Sequence, residues 1–369
     1  MGIYLDGMFY RCSGVGRVYE NLLEALSAWP PIGEIHTVVP AALKDRFLGQ
    51  FRQPSIRPVF VGYGPMSVGD LFRKSSILRP LRGSVRLFFF PGHNVPFSMP
   101  GKYIVSVNDI TVFSGHFALP WYRKAGFRWL LGRAVRGAED VVTISATARR
   151  DLVREFGLPL DEIHVIYPWI RDEFFLPPPE EGTPVPGEYI LYLGLRIAHK
   201  NVEGILRAFA ILADDFPALK LVIAGARYSA NDMVDRWKGD PRLKGKIVEM
   251  PDPSDDEIRR LFAGAKAFVF PSFAEGFGLP PLEAMAAGVP VVCSDIAVFR
   301  EVYGSAVRYV DPASPESIAR GVREVLGNPG MAQALREKGL VRAALYRKGT
   351  AIDKYIDLIQ GHAFGGPNR

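Results

Sequence analysis

The sequence predicts two doubly wound α/β domains in tandem, and three observations carry that expectation. The chain has 369 residues, more than one hydrophobic core ordinarily supports. Short β-branched apolar runs alternate with helical periodicity along its whole length, the pattern of parallel sheets covered on both faces. A Pro-rich, acidic stretch at residues 176–187 can continue neither a helix nor a central strand, so it reads as the linker between two such units.

In the first half a strand opens at Gly2-Ile-Tyr-Leu, and further strands are expected at 36–39, 85–90, 103–107, 140–144 and 163–166. Long helices are expected at 16–29 and 120–137 between them. The second half repeats the scheme with runs at 189–193, 219–224, 247–250, 267–270, 290–293 and 307–310. Ligands of such sheets bind beyond the carboxyl ends of the strands, so the loops there are where chemistry is sought. No repeat of fixed period occurs.

Composition is that of a soluble enzyme, with 48% hydrophobic and 23% charged residues and a mean hydropathy of +0.07. The longest apolar candidate, 284–293, is broken by Gly288 and Pro290 and is too short to span a bilayer. The start of the chain lacks a basic segment followed by an apolar one, so no secretory signal is expected, and Asp6 stands where a myristoylation motif needs Ser or Thr. Two cysteines far apart, Cys12 and Cys293, suit a reducing compartment. A cytoplasmic protein, peripheral on the inner face of the cytoplasmic membrane, is expected.

The net charge of +6 is uneven: residues 1–168 hold 20 Lys/Arg against 13 Asp/Glu, and residues 169–369 hold 25 against 26. A basic half implies an acidic partner. Residues 71–82 and 121–136 mix cations with Phe, Trp and Leu, a mixture suited equally to an anionic membrane surface or to a packed helix with a solvated basic face. No nucleic-acid module is present, and no nucleic-acid partner is expected.

The strongest motif is Phe270-Pro-Ser-Phe-Ala-Glu275-Gly276-Phe277-Gly278-Leu279-Pro-Pro-Leu-Glu283-Ala-Met-Ala-Ala-Gly288. A buried strand ends at Phe270, a glycine loop follows, and a helix begins near Leu279, with proline in its first turn. Such a helix start is suited to phosphate, and Glu275 on the loop and Glu283 one turn inside the helix put two carboxylates around one ligand. Upstream, Gly194-Leu-Arg196-Ile-Ala-His199-Lys200-Asn201 follows a strand as a basic loop that enters a helix. After the first strand comes Gly14-Val-Gly16; Tyr19 occupies the place of a third glycine, which argues against an ordinary dinucleotide site. No convincing Asp-x-Asp metal site exists, since Asp255-Asp256 falls at a helix start.

Glu275-x7-Glu283, with Gly-Phe-Gly-Leu between and Glu-Ala-Met-Ala-Ala-Gly after, resembles the E-x7-E motif of the retaining GT-B glycosyltransferases of family 4, and the resemblance extends over most of the chain. It implies a GT-B fold: a Rossmann-like acceptor-binding domain at 1–175, with a C-terminal helix at about 352–369 packed back on it, and a nucleotide-sugar domain at 187–351. It implies a donor site of Gly14, Gly16, Arg196, Lys200, Gly276, Phe277, Gly278, Leu279 and Glu283, with Lys200 and Arg196 on the diphosphate and the glycine loop closing over it. Glu283 would take the ribose hydroxyls and Glu275 the sugar. Neither a metal nor any other cofactor is implied.

The departures are as telling. Asn108-Asp109 stands where many relatives have His-Asp, and asparagine cannot take a proton, so a general base is in doubt there. His93 is the residue expected to supply an acceptor-side contact. Residues 142–149 resemble the family's cleft-lining stretch, Val165-Ile-Tyr-Pro168 replaces the usual Ile-Pro-Asn-Gly, and Glu249-Met-Pro-Asp252 falls where relatives hold the nucleotide base. The reading is a hexosyltransferase, with GDP-mannose as donor and a glycan or lipid-diphosphate-linked glycan as acceptor, in polysaccharide or lipopolysaccharide assembly. Two other readings remain: a non-catalytic sugar-nucleotide-binding subunit, which Asn108 keeps open, and a glycoside hydrolase or phosphorylase using Glu275 and Glu283 as acid and base.

Overall fold

The computed structural model describes residues 2–29, 32–115, 120–226 and 233–365. The chain divides into two compact units, one of Met1–Ile110, Leu119–Pro168 and Gly349–Arg369, the other of Thr111–Ala118 and Trp169–Lys348. Each holds one wholly parallel sheet.

In the first unit the strands are β1 (Gly2–Leu5), β2 (Ile35–Pro40), β3 (Ile56–Val61), β4 (Val85–Phe90), β5 (Tyr103–Ser106), β6 (Asp140–Thr143) and β7 (Ile163–Val165), in the order β3-β2-β1-β4-β5-β6-β7. The order reverses between β1 and β4, where a doubly wound sheet opens its crevice. Its centre is aromatic: Tyr4 lies 5.6 Å from both Phe88 and Phe90. β3 was not expected from the sequence because Pro58 interrupts it; the strand survives because it sits at the sheet edge, where a missing donor is tolerated. From Gly349 onward the helix Lys348–Gln360 belongs to this unit: Tyr355 meets Phe89 edge-on at 5.8 Å, Arg86 donates to the Ala363 carbonyl at 2.9 Å, and His362 bonds Asp140.

The second unit carries β8 (Tyr189–Leu193), β9 (Lys220–Ala224), β10 (Ile247–Met250), β11 (Ala267–Phe270), β12 (Val291–Ser294) and β13 (Arg308–Val310), in the order β10-β9-β8-β11-β12-β13. Here the reversal lies between β8 and β11. Their aromatic residues Tyr192, Phe270 and Phe268 form a stacked row with centroids 6.1 and 5.8 Å apart. The Pro-rich stretch is part of this unit and is tied down along its length: Arg259 donates to the Pro177 carbonyl at 2.6 Å, Arg260 pairs with Glu181 at 2.8 Å, and Thr183 meets the Tyr189 hydroxyl at 2.9 Å. It is a strap rather than a free tether, and the change of unit comes earlier, at Pro168–Trp169.

Candidate functional site

In the second unit the loops leaving β8 and β11 meet at the strand-order reversal. Asn201 explains how. It adopts the left-handed conformation, with φ 57°, which asparagine tolerates better than most residues, and its side chain caps the helix Val202–Leu212 by accepting from the Gly204 amide at 3.2 Å. Its amide group donates to the carbonyls of Pro271 at 3.0 Å and Pro312 at 2.7 Å, and the Phe273 amide donates to the His199 carbonyl at 2.7 Å. The basic loop is thereby stapled to the Glu275 loop. Gly204 is required for this, since a Cβ there would lie 2.5 Å from the Asn201 oxygen.

Held in this way, Lys200 Nζ lies 2.6 Å from Glu275 Oε1 and 5.4 Å from the Phe270 ring centroid. The lysine side chain is 19% exposed and the glutamate 10%. Arg196 is buried, and its Nη1 donates to Glu249 Oε2 at 2.5 Å; Glu249 also pairs with Lys238. The donor-side cations predicted from the sequence are therefore matched by carboxylates of the same unit.

Beyond Glu275 the chain turns at Gly278, whose φ is 94°. A Cβ there would stand 2.2 Å from the Tyr303 hydroxyl, which donates to the Gly278 carbonyl at 2.7 Å. Phe277 is buried edge-on against Tyr346, 5.5 Å away. The helix Leu279–Ala286 follows. Pro280 and Pro281 carry no N–H, and the Leu282 amide is the first donor of the helix ladder, so within the first turn only the Leu279 amide is left for an anion. Glu283 is buried. Arg171 lies near enough for the Glu283 charge to act on it; burial lowers the guanidinium's proton affinity, but Asp255, Glu283 and Glu173 together raise its pKa above the ordinary value. Nothing in the sequence marked Arg171, since Asp255 and Glu283 are distant from it in the chain.

In the first unit Gly14 and Gly16 fall inside the first turns of the helix Ser13–Ser27 rather than on a free loop. Gly16 is forced by packing: a Cβ would lie 2.2 Å from the Phe9 carbonyl oxygen, while none would be obstructed at Gly14. His93, after β4, packs edge-on against Phe127 at 5.1 Å. Burial pushes its pKa below the ordinary value, with the Asp109 charge opposing, so the sheet brings these two predicted residues into one field. Asn108 is half-buried, and its carbonyl and that of Val107 face the Thr143 hydroxyl.

Sequence patterns did not reveal a buried ion network at the reversal of the first sheet. Lys74 is fully buried; Nζ lies 2.9 Å from Asp6 Oδ1, 2.6 Å from Asp70 Oδ1 and 3.0 Å from the Asn94 carbonyl. Asn94 Nδ2 donates to Asp6 at 2.9 Å and to Asp70 at 3.0 Å, and the Tyr4 hydroxyl donates to Asp6 at 2.5 Å. Two carboxylates around one ammonium leave one excess negative charge, and burial pushes the Asp70 carboxyl above its usual range against the pull of Lys74. The network pins the loops that leave β1 and β4, the second of which carries His93. Its one sequence signal was a lysine at the fourth residue after Asp70, a spacing too common to single out.

Residues 178–342 match the family description Glycosyl transferases group 1, and residues 13–174 match Glycosyltransferase Family 4. The two adjoin across nearly the whole chain. The chain belongs to the group 1 glycosyltransferases. Among similar proteins, the O-antigen chain mannosyltransferase RfbU of Salmonella typhimurium is 28% identical over 85% of this chain and 88% of that protein. O-antigen chain mannosyltransferase B of Escherichia coli is 29% identical over 68% and 69%. The Anabaena protein Alr3699/HepE, solved with UDP and glucose, superposes with a TM-score of 0.73 at 14% identity, over 98% of this chain and 99% of that one. The fold of this glycosyltransferase is accordingly GT-B. No helix among its described residues is long and apolar enough to cross a membrane.

Proposed function

We propose that this glycosyltransferase moves a hexose, mannose in the first instance, from a GDP-linked donor to a glycan or lipid-diphosphate-linked glycan acceptor during polysaccharide assembly, with retention of configuration and without a metal ion. The observation that carries this is the Lys200–Glu275 pair at the reversal of the second sheet. It places an exchangeable cation beside a carboxylate at the end of a glycine loop. The names of the O-antigen mannosyltransferases support the sugar and the setting.

In this reading the second unit holds the donor and the first unit the acceptor. Breaking the bond from the anomeric carbon to the diphosphate leaves negative charge on the phosphate, and Lys200, Arg196 and the Leu279 amide are the groups that would stabilise it. Glu283 takes the ribose, and Glu275, released from Lys200 as the diphosphate binds, takes the sugar hydroxyls. His93 and Asp109 stand on the acceptor side, with Asn108 in a hydrogen-bonding rather than proton-accepting role. The basic first unit would rest on anionic lipid at the inner face of the cytoplasmic membrane.

The test is a thermal-shift screen of UDP-, GDP-, ADP- and dTDP-sugars on the full chain and on Glu283→Ala. A ligand bound only by the folded state raises its melting temperature. A shift with GDP-mannose that Glu283→Ala removes is expected. A shift with another nucleotide alone refutes the GDP assignment, and binding without turnover for any acceptor supports a non-catalytic subunit instead.

A further inference from the structure

The two stretches that mix cations and aromatic residues lie far apart in the sequence, yet the fold joins them. Phe97, on the loop after β4, is the joint. Phe72 stacks on it with centroids 4.5 Å apart and planes 25° apart, and Trp129 lies 5.8 Å from it with planes 33° apart. The Arg133 guanidinium sits 4.6 Å over the Phe97 ring and donates to the carbonyls of Val95 at 2.5 Å and Pro96 at 3.2 Å, which fixes the ring in place. The outer rings face water, Phe72 being 56% exposed and Trp129 62%, and Val68, four residues before Phe72, is 73% exposed. Tyr122 stands seven residues before Trp129 on the helix Trp121–Arg136, hence on the same face, and is also exposed.

Large rings held open to water in a continuous row mark an interaction surface. The exposed charge within the two stretches is of a single sign. Arg73, Arg79 and Arg123 are exposed beside it, and the only carboxylate within residues 68–82 and 121–136, Asp70, is turned inward and held by Lys74. Trp and Tyr prefer the depth of lipid headgroups, where a ring can be half buried and half wet, and arginines at that level meet lipid phosphates.

We propose that Val68, Phe72, Trp129 and Tyr122, ringed by Arg73 and Arg123, are one composite docking surface for an anionic bilayer. This rests on the peripheral membrane contact in the proposed function and names the surface that makes it. Neither stretch forms it alone; Phe97 and Arg133 lock the two into a rigid edge, so little ordering entropy is lost when it docks.

The experiment is co-sedimentation of the full chain with vesicles of phosphatidylcholine alone and with vesicles in which about a third of the lipid is phosphatidylglycerol. The anionic vesicles are expected to retain the protein, with retention weakening as salt is raised. Phe72→Ser combined with Trp129→Ser is expected to lower the bound fraction about tenfold, and Arg73→Glu with Arg123→Glu by a similar factor. Leu345→Ser, at an exposed leucine of the other unit, is expected to bind as the parent does. The nucleotide-sugar melting shift of each variant reports folding and donor binding separately, so a failure of docking is distinguishable from a failure of the proposed function. Equal retention of parent and Phe72/Trp129 variant overturns the proposal. So does salt-insensitive binding to both vesicle types, or a dimer that buries this patch while the protein ignores vesicles.

Discussion

Where the first sheet reverses its strand order, Asp6, Asp70 and Lys74 are sealed from water; at the matching place in the second, Lys200 and Glu275 meet with 19% and 10% of their side chains exposed. The topology is the same and the charges serve different ends. Sealed charges have no water to return to, so losing one partner strands the others, and the loops they bind become part of the core. A partly exposed pair gives up little when it separates, so an anionic ligand can take the lysine from the glutamate. One unit uses charge as a rivet, and in the proposed function the other uses it as a socket.

Five substitutions would break or sharpen that contrast. Lys74→Met leaves two buried carboxylates without their cation and should cost about 3–5 kcal/mol in urea unfolding; adding Asp70→Asn should recover part of the loss, as a double-mutant cycle would register. A cost below about 1 kcal/mol would remove the distinction between the two units. Lys200→Ala should change stability by no more than about 1 kcal/mol while lowering turnover about 10²–10³-fold, the scale seen when one preorganised charge-stabilising group is lost. Unaltered turnover would take Lys200 out of the socket.

Gly278→Ala adds a Cβ 2.2 Å from the Tyr303 hydroxyl at a positive φ and should cost about 1–3 kcal/mol by thermal unfolding. A neutral result would mean that the loop before Leu279 shifts freely. The smallest effect concerns His93. Burial holds its pKa below the ordinary value against the Asp109 charge, so as pH falls below about 6.5 the unfolded chain takes up that proton before the folded one does. Stability therefore declines on the acid side until the folded ring is protonated too. His93→Gln should flatten the decline between about pH 7 and pH 5 by no more than roughly 1 kcal/mol; an unchanged slope would show that the ring is solvated.

Much of this molecule is legible in its amino-acid order. The alternation of apolar runs and helices predicts both sheets, and the Glu275–Glu283 segment predicts its strand, loop and helix, because periodicity, glycine and proline act over a few residues. The edge strand Ile56–Val61 escapes because Pro58 is a valid breaker everywhere except an edge. The strap at residues 176–187 escapes because a proline-rich run states what it cannot form, not what arginines will bind it.

The side-chain partnerships are a different matter. Asp6 is 68 positions from Lys74 and 88 from Asn94, Arg196 is 53 from Glu249, and Phe72 finds Trp129 only through Phe97. No local spacing encodes such pairs. Strand order brings them together, and burial then sets their energies: the low dielectric that makes a stranded charge costly is a property of the packed interior and not of any residue in it. Chemical groups and their loops are written locally; which of them are sealed, half-open or left facing water is settled by what the sheets enclose.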